Sequence, residues 1–479
     1  MAETSQIAIF TSKTKTTGMK QLHLPIAFLI AFFSVFSSCS PEKDNKPGNV
    51  KALNRKAPVA MFLSDFHIGE NYGGVSREVP QEKLGAYDSV PGLPDMYFHK
   101  KISEMLQLLD STLASHNAES IPYLILLGDI FDVAVHEASD AFNLTHSFFN
   151  TPLYNGRSFI SFFDTVIYLP GNHDHHVWKM LQEEYYIRER LSQGQEALPF
   201  PHRGIKILDL GAGSAIKALD ENLIEEMAGG NFISYLLSDN QKAVHISYPN
   251  LYISYVNGNQ NGGICVTHGH FFEPNWNKDT ALVKFFPDVN RMPDYFKNIE
   301  KYNAPFTEFS DYSIAQVNDE FTDQLTDAGF QDPSKNIVEE YGRIGLYLAR
   351  EYPSFFPLDT VAKKLTDVEK LQRHPRQVFP YLQQTQLEMA KNNMSFDQLV
   401  YGHTHVPCFR QIRPFKDFAG SNITAEAAWL EKALLIHNTG GWVNISNTDT
   451  ISMDNARQKA PNPMFMFKNG RIAKVFPDH

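Results

Sequence analysis

The sequence predicts an α/β fold in which buried strands alternate with helices. Continuous apolar runs at residues 58–63, 121–127 and 163–169 are typical of strands that are covered on both faces. Between the first two runs, residues 97–116 carry apolar side chains at helical spacing, which predicts an amphipathic helix. Each apolar run is followed by a short polar segment. This pattern favours a sheet flanked by helices, with functional groups at the ends of its strands.

The composition is that of an ordinary globular protein. Hydrophobic residues make up 43% and charged residues 20% of the 479 residues, which suffices for one large domain with insertions or for two or three domains. Lys and Arg number 43 against 54 Asp and Glu, giving a net charge of −11 without a long basic run, which argues against nucleic acid as a partner. Three cysteines do not make a disulfide framework, and Cys265 and Cys408 are predicted to be buried core residues.

Residues 1–39 have the features of an export signal. Residues 24–36 form an apolar stretch that is preceded by Lys20. A basic start and a short apolar core are typical of a secretory signal peptide, and the stretch is too short to span a membrane comfortably. Met19 is a typical first residue for such a signal, so residues 1–18 are predicted to be an upstream extension.

The end of this signal predicts a lipid anchor. Ser37 and Ser38 directly precede a single cysteine, Cys39, and this resembles a bacterial lipoprotein signal, although Phe36 stands where such signals usually carry leucine. The resemblance implies lipidation of Cys39 and a membrane-tethered protein on the periplasmic or surface face of the cell envelope. Plain secretion and an uncleaved anchor are the alternatives. Residues 40–57 are polar, charged and contain Pro and Gly, which is a tether composition.

The rest of the chain is predicted to form one domain with an insertion. Residues 58–274 and 397–479 carry the strand patterns, whereas residues 275–396 are predicted to be mostly helical. Apolar residues at helical spacing support this prediction, namely Ile337, Tyr341, Ile344 and Leu348. Residues 271–309 are rich in aromatic side chains. The insertion is therefore either a packing subdomain or a cap whose aromatic side chains line a pocket.

Two strand pairs are predicted near the C-terminus. Residues 433–443 favour two strands around a Gly-Gly turn. Residues 464–475 favour a hairpin, because Asn469-Gly470 suits a type I′ turn.

Five polar blocks are the strongest functional signal. They are Ser64-Asp65-Phe66-His67, Gly128-Asp129-Ile130-Phe131-Asp132, Gly171-Asn172-His173-Asp174, Thr267-His268-Gly269-His270 and Gly402-His403-Thr404-His405. Each follows a predicted strand and carries Asp, Asn or His, the side chains that suit hard-to-borderline divalent metals. No single block has enough ligands for a metal. The set therefore predicts one site that is assembled when the chain folds.

In order, spacing and residue type, these blocks resemble the calcineurin-like metallophosphoesterase family. The pattern DxH, GDxxD, GNHD, an isolated histidine after a strand, and GHTH is complete, and the resemblance covers roughly residues 58–445 outside the insertion. It implies a four-layer α/β sandwich, with two mixed sheets back to back and two divalent metal ions at one edge. The implied ligands are Asp65, His67 and His405 for one metal, Asn172, His268 and His403 for the other, and Asp129 as the bridge. Mixed nitrogen and oxygen donors suit Mn, Fe or Zn.

The remaining block residues have further expected roles. The resemblance implies that His173 is a general acid at the leaving-group oxygen and that Asp174 orients it; a structural role for His173 is the alternative. Asp132 is expected to support a ligand, or else to be a solvated loop carboxylate. His270 shares a face with His268, so it either contacts substrate or supports the ligands.

The resemblance implies an enzyme that hydrolyses a phosphate ester. The expected reaction is attack by a hydroxide shared between two metals on a phosphomonoester, phosphodiester or pyrophosphate, with His173 as the acid. The expected partner is a small phosphorylated substrate, with a lipid-linked one suggested by the aromatic insertion. A non-catalytic binding or structural lipoprotein on a phosphoesterase scaffold is the alternative, and metal-dependent hydrolysis of another bond, such as an amide, is a third.

Within the family, three segments look most like the branch that contains UDP-2,3-diacylglucosamine pyrophosphatase. These segments are residues 127–132, 401–407 and 438–442. The chain departs from that enzyme because it has His173 where the enzyme has an arginine, and because it carries an export signal. A phosphate ester of the cell envelope is therefore expected as substrate, rather than the substrate of that enzyme.

Overall fold

A computed structural model describes most of the predicted α/β domain. The described residues are 57–69, 73–77, 79, 84–90, 93–133, 138–196, 202–211, 214–219, 230–272, 294–301, 303–304, 375–405, 408–412, 434–442 and 461–476. All of them belong to one compact unit, Asn54–His479. The predictions about the export signal, Cys39 and the tether concern residues 1–57, and all of these except Ala57 lie outside the described residues.

The strands of the described part are numbered here in chain order. They are β1 (Ala60–Leu63), β2 (Val75–Ser76), β3 (Tyr87–Val90), β4 (Leu93–His99), β5 (Ile121–Leu126), β6 (Pro152–Tyr154), β7 (Arg157–Ser158), β8 (Phe163–Tyr168), β9 (Lys206–Asp209), β10 (Ala215–Ala218), β11 (Ala243–Ile246), β12 (Asn250–Asn257), β13 (Gln260–Thr267), β14 (Phe396–Tyr401), β15 (Cys408–Ile412), β16 (Leu434–Asn438), β17 (Met464–Met466) and β18 (Ile472–Lys474).

Two large sheets contain most of these strands. One has the order β11-β8-β5-β1-β17-β18 and the other β10-β9-β12-β13-β14-β16-β15. Both are mixed: β11, β8, β5 and β1 are parallel, while β17 and β18 are antiparallel to their neighbours. In the second sheet β13, β14 and β16 are parallel, and β12 pairs antiparallel with β13. Two small sheets, β2-β4-β3 and β6-β7, complete the set.

The core lies between the two large sheets. Ala60 and Phe62 of the first sheet share one buried cluster with Ile253 and Val266 of the second. Because successive side chains of a strand point to opposite faces, Met61 lies on the other face of β1, and it too is fully buried. The strand is therefore covered on both sides, as its apolar sequence predicted. The mixed α/β sandwich predicted for the chain is confirmed.

Six helices are described. They are α1 (Lys100–His116), α2 (Ala138–Asn150), α3 (His175–Tyr185), α4 (Phe232–Ser238), α5 (residues 295–301) and α6 (Pro375–Lys391). Short 3₁₀ turns lie at Leu84–Ala86, Phe159–Phe162, Leu191–Gln193 and His270–Phe272, and a π-helical turn lies at Tyr186–Arg190. Within the described ranges, no helix combines the length and apolar character needed to cross a bilayer.

The local sequence of helix α1 accounts for its buried face and for the positions of its two ends. Its apolar face, Ile102, Met105, Leu106, Leu109 and Leu113, is buried throughout, as the spacing predicted. The helix starts later than the predicted residue 97, because residues 97–99 complete β4 and the His99 side chain accepts a hydrogen bond from Lys101 N. It ends at Asn117, whose left-handed conformation directs its own N–H to the carbonyl oxygens of the last turn.

The C-terminal hairpin differs from the prediction in its turn. Strands β17 and β18 pair antiparallel as expected. However, Gly470 has φ +77°, Asn469 does not have a positive φ, and Gly470 N donates to Phe467 O at 2.8 Å. A type I′ turn needs positive φ at both central residues, so this prediction was wrong, and the connection is a turn over residues 467–470 that ends on a left-handed glycine. The second strand predicted at 433–443 is not present among residues 439–442.

Most of the predicted helical insertion lies outside the described residues, including the pattern from Ile337 to Leu348. Within residues 275–396, the structure describes residues 294–301, which include α5, residues 303–304, and residues 375–396, which include α6 and the start of β14. Four aromatic residues of the aromatic-rich segment are described, Phe271, Phe272, Tyr295 and Phe296, and all are buried around Tyr381 of α6. These four rings are packed in the interior.

Candidate metal centre

The five polar blocks lie at the carboxyl ends of strands in both sheets. β1, β5 and β8 are parallel and lead into Asp65, Asp129 and Asn172, so these residues meet at one edge of the first sheet. β13 and β14 are parallel in the second sheet and lead into His268 and His403. Because the two sheets pack face to face, their loops converge, and His403 N donates to Asp65 Oδ1 at 3.0 Å across the gap. Such strand ends are where α/β proteins place functional groups.

One cluster of possible ligands combines the first, second and fifth blocks. Asp65, His67, Asp129 and His405 each offer a ligand atom, and these atoms lie within 4.8 Å of one another. His405 Nε2 is 3.2 Å from Asp65 Oδ1 and 3.1 Å from His67 Nε2. Asp65 is fully buried, so its carboxylate faces the cluster rather than bulk water. Two imidazoles and two carboxylates suit a borderline divalent cation.

A second cluster shares one member with the first. Asp129, His268 and His403 also place their ligand atoms within 4.8 Å of one another. Asn172 joins them, because its Oδ1 lies 3.0 Å from His268 Nε2. Asp129 Oδ2 is 3.2 Å from His268 Nε2 and 3.8 Å from His67 Nε2, so this carboxylate stands between the two clusters. The buried His/Asp clusters could hold metal ions.

Two of the histidines have a fixed ring orientation. His268 Nδ1 donates to the Leu127 carbonyl oxygen at 2.7 Å, and His67 Nδ1 lies 2.8 Å from Asp132 Oδ2. A histidine that donates from Nδ1 presents the lone pair of Nε2 to the other side. For both residues Nε2 is the atom that faces the cluster. In metal sites, hydrogen bonds of this kind fix the tautomer and the orientation of the histidine ring, so that its other nitrogen can bind the metal.

The carboxylate that contacts the His173 ring is that of Asp132 rather than that of Asp174, while Asp129 Oδ1 accepts from His173 N at 2.9 Å. His173 Nδ1 lies 2.9 Å from Asp132 Oδ2, the same oxygen that binds His67. Asp132 is fully buried, so the alternative of a solvated loop carboxylate is wrong. His173 is 31% exposed, which leaves its ring within reach of a bound molecule. Asp132 therefore orients both His67 and His173.

The predicted role of Asp174 as the orienting group is corrected accordingly. Its Oδ2 accepts from Ile130 N at 2.9 Å, and its Oδ1 accepts from Gly171 N. Asp174 stands just before α3, and its carboxylate turns inward to these backbone groups instead of toward His173. Burial and the nearby Asp129 charge raise the pKa of Asp174 to about 6. Asp174 holds the second and third blocks against each other.

Several predicted ligands occupy the left-handed region of backbone conformation. Positive φ angles are found at Asp65 (52°), His67 (47°), Asp129 (50°), His403 (65°) and His405 (56°). Residues other than glycine seldom adopt this conformation, although Asp, Asn and His tolerate it best. Such angles cost on the order of 1–3 kcal/mol each and persist where the surroundings hold them, characteristically at functional sites.

Two glycines in the blocks are required by close approach between loops. A Cβ atom on Gly171 would lie 2.2 Å from Asp129 Oδ1, and one on Gly402 would lie 2.4 Å from Asp65 Oδ2. Contacts this short cannot be accommodated without moving the carboxylates. The glycines therefore let the third and fifth blocks pack directly against the acidic residues of the second and first.

The charge distribution of the centre favours a cation. Burial alone would raise the pKa of Asp65 and Asp129, but the adjacent histidines outweigh it and hold both pKa values below the usual range. Burial alone would likewise lower the pKa of His268, but Asp129 outweighs it and raises that pKa to about 9. A buried imidazole that retains a proton in this way lies in a strongly negative potential. Metal cations would replace that positive charge, so the donor set fits them.

His270 is placed beside the second cluster. It is buried, its ring lies 5.5 Å from that of His268 and 6.5 Å from that of His403, and neither of its ring nitrogens has a hydrogen-bond partner among the described residues. Burial lowers its pKa well below the usual value. The structure thus places His270 beside the ligands, with its ring next to those of Tyr248 and Phe271 as well as that of His268.

Other supporting residues were not assigned roles from the sequence. Asn438 Nδ2 donates to Gly402 O at 2.9 Å and to Thr404 Oγ1 at 3.0 Å, which braces the fifth block. Ser64 contacts both Asp65 and Thr439 through its hydroxyl. Asn438 follows β16 as the blocks follow their strands, and this signal could have identified it. His437 of β16 is also buried and contacts Gln398 at 3.2 Å.

Cys265, one of the two cysteines predicted to be in the core, is a buried free thiol whose pKa is raised by burial.

No protein-family model matches the chain, and no curated protein matches it.

Proposed function

We propose that the protein is a metal-dependent phosphoesterase of the calcineurin-like metallophosphoesterase type, with two divalent ions at the centre formed by the five blocks. The observation that carries the proposal is the position of Asp129. Its carboxylate is shared by two ligand clusters, one with Asp65, His67 and His405 and the other with His268 and His403. Paired ions that share a carboxylate are characteristic of two-metal phosphoryl chemistry.

The proposed chemistry divides between the ions and the protein. When bound, two such ions would supply a nucleophilic hydroxide near neutral pH and stabilise an in-line displacement at phosphorus. His173 would deliver a proton to the departing oxygen from Nε2, because its Nδ1 is engaged by Asp132. Burial alone would raise the pKa of Asp132, but His173 and His67 outweigh it and lower the pKa strongly, so Asp132 remains an anion that stabilises protonated His173.

The reaction class is tested by loading metal-free protein with Mn²⁺ and measuring hydrolysis of p-nitrophenyl phosphate and bis-p-nitrophenyl phosphate. We expect turnover of at least one of them, lost on chelation and restored by Mn²⁺. If neither substrate is hydrolysed, and a panel of nucleotides and lipid head-group phosphate esters is also inert, the proposal is wrong. The ratio of the two rates separates a monoesterase from a diesterase.

The envelope location is part of the proposal and rests on Cys39. A Cys39→Ala variant removes the thiol that would be lipidated, so we expect the protein to move from the membrane fraction to the soluble fraction. Ser40→Ala is the matched control, since it changes the adjacent residue and keeps the thiol. Fractionation and immunoblotting measure the shift. Unchanged membrane association of the Cys39 variant would favour an uncleaved anchor, and a wild-type protein found in the medium would favour plain secretion.

A further inference from the structure

We propose that Glu300 is a positioning residue that ties the segment between the fourth and fifth blocks to the Asn172–His268 side of the metal centre. The inference rests on the proposed function, because it concerns one of the two metal sites assigned there. Glu300 belongs to α5, far in sequence from every block. Its side chain is 2% exposed. A buried carboxylate needs partners, and the identity of those partners indicates its role.

The first partner of Glu300 follows the third block. Glu300 Oε1 lies 2.8 Å from Nε2 of His175, which is 1% exposed. His175 is the first residue of α3 and stands three residues after Asn172. The contact therefore holds the start of the helix that follows Asn172 and His173. Displacement of this helix end would displace the turn that carries the amide ligand.

The second partner leads to the fourth block. Tyr248 OH donates to Glu300 Oε2 at 2.6 Å. The Tyr248 ring stacks on Trp178 of α3 at 5.0 Å and lies parallel to His270 at 6.5 Å. His270 is two residues after His268. One oxygen of the carboxylate thus contacts His175, three residues after Asn172, and the other contacts Tyr248, whose ring lies beside that of His270.

These two ligands belong to the same cluster. His268 Nε2 and Asn172 Oδ1 are 3.0 Å apart, and His268 belongs with Asp129 and His403 to the second cluster, which contains neither His67 nor His405. In contrast, the described contacts of Glu300 include none with Asp65, His67 or His405. Loss of Glu300 should therefore weaken metal binding at the cluster with Asn172 and His268 more than at the cluster with Asp65, His67 and His405.

The segment that carries Glu300 also makes contacts that do not involve Glu300. These contacts provide control variants for the test of its role. Tyr295 and Phe296 pack against Tyr381 of α6, and Arg203 bridges Asp294 and Glu388. Glu388 resembles Glu300 in accepting from a buried tyrosine, since Tyr252 OH donates to it at 2.7 Å. Neither Arg203 nor Tyr252, the two partners of Glu388 named above, belongs to a block. Glu388→Gln and Tyr252→Phe thus test for general loosening of the fold.

The test is titration of metal-free, full-length protein with Mn²⁺ by calorimetry. Wild type should bind two ions, and Asn172→Ala identifies the step that belongs to the second cluster. Glu300→Gln should weaken that step by up to about tenfold and leave the other unchanged, the lower end of the loss caused by removing residues that support metal ligands, because Glu300 acts through His175 and Tyr248. Tyr248→Phe removes only one of the two contacts and should weaken the same step less. Glu388→Gln and Tyr252→Phe should match wild type.

The outcomes separate this inference from the proposed function. If wild type binds two ions and both Glu300→Gln and Tyr248→Phe bind them equally well, the positioning role is wrong and the proposed function stands. If Glu388→Gln weakens the same step as much as Glu300→Gln, the effect is general and the positioning role is also wrong. If wild type does not bind two ions, both are overturned. Should Glu300→Gln fail to fold, Tyr248→Phe decides the question.

Discussion

An Asp129→Asn variant should lose most of its metal and nearly all of its activity. Asp129 Oδ2 faces both clusters, at 3.2 Å from His268 Nε2 and 3.8 Å from His67 Nε2. An amide has the shape of the carboxylate but no charge, so neither ion would keep its shared anionic ligand. Several kcal/mol of charge stabilisation depend on such ions, which corresponds to a fall of about a thousandfold in kcat/KM. Metal content by elemental analysis and kcat/KM on the better p-nitrophenyl substrate measure the effect.

Asp239→Asn is the matched control for this substitution. Asp239 also has a positive φ, at 47°, and its carboxylate pairs with a histidine, His146, at 2.6 Å, but both side chains lie at the surface. We expect this variant to retain wild-type metal content and activity. Full activity in Asp129→Asn, with two ions still bound, would contradict the shared-ligand assignment and with it the proposed reaction.

The positions of the predicted ligands follow from the sequence because strand ends are local features. The apolar runs before Asp65, Asp129 and Asn172 are observed as β1, β5 and β8, and each block begins within four residues of a strand end. Once these strands are parallel neighbours, their carboxyl ends must share an edge. Residue type and position along the strand therefore suffice to predict which side chains meet.

The hydrogen bonds around the ligands were less predictable, because they join residues distant in sequence. Asp174 is adjacent to His173 and was expected to orient it, yet the chain turns into α3 at this point and directs the carboxylate to Ile130 N. Asp132 reaches His173 from another loop. Glu300 stands in no motif, and only the fold brings it to His175 and Tyr248.

A His173→Ala variant should keep both metals, and its kcat should fall most for esters whose leaving group is poor. Its side chain is 31% exposed, more than the 13% of His405, whereas Asp132 behind it is fully buried. Loss of a general acid costs about 10²–10⁴-fold when the departing oxygen needs a proton. Phenyl phosphate esters should show this loss, and p-nitrophenyl esters should show little, because nitrophenolate leaves without protonation. The measurement is kcat for a series of substituted phenyl esters, with metal content determined in parallel.

Two comparisons make this result specific to proton delivery. His146→Ala removes a surface histidine that also pairs with a carboxylate, and it should leave the whole series unchanged. Asp132→Asn should instead lower metal content and slow every ester, because Asp132 Oδ2 contacts His67 as well as His173. In His173→Ala the contact between Asp132 and His67 is kept, so the metal ligands stay in place while the proton donor is gone. Equal slowing of good and poor leaving groups by His173→Ala would contradict the general-acid role and would favour a structural role for this histidine.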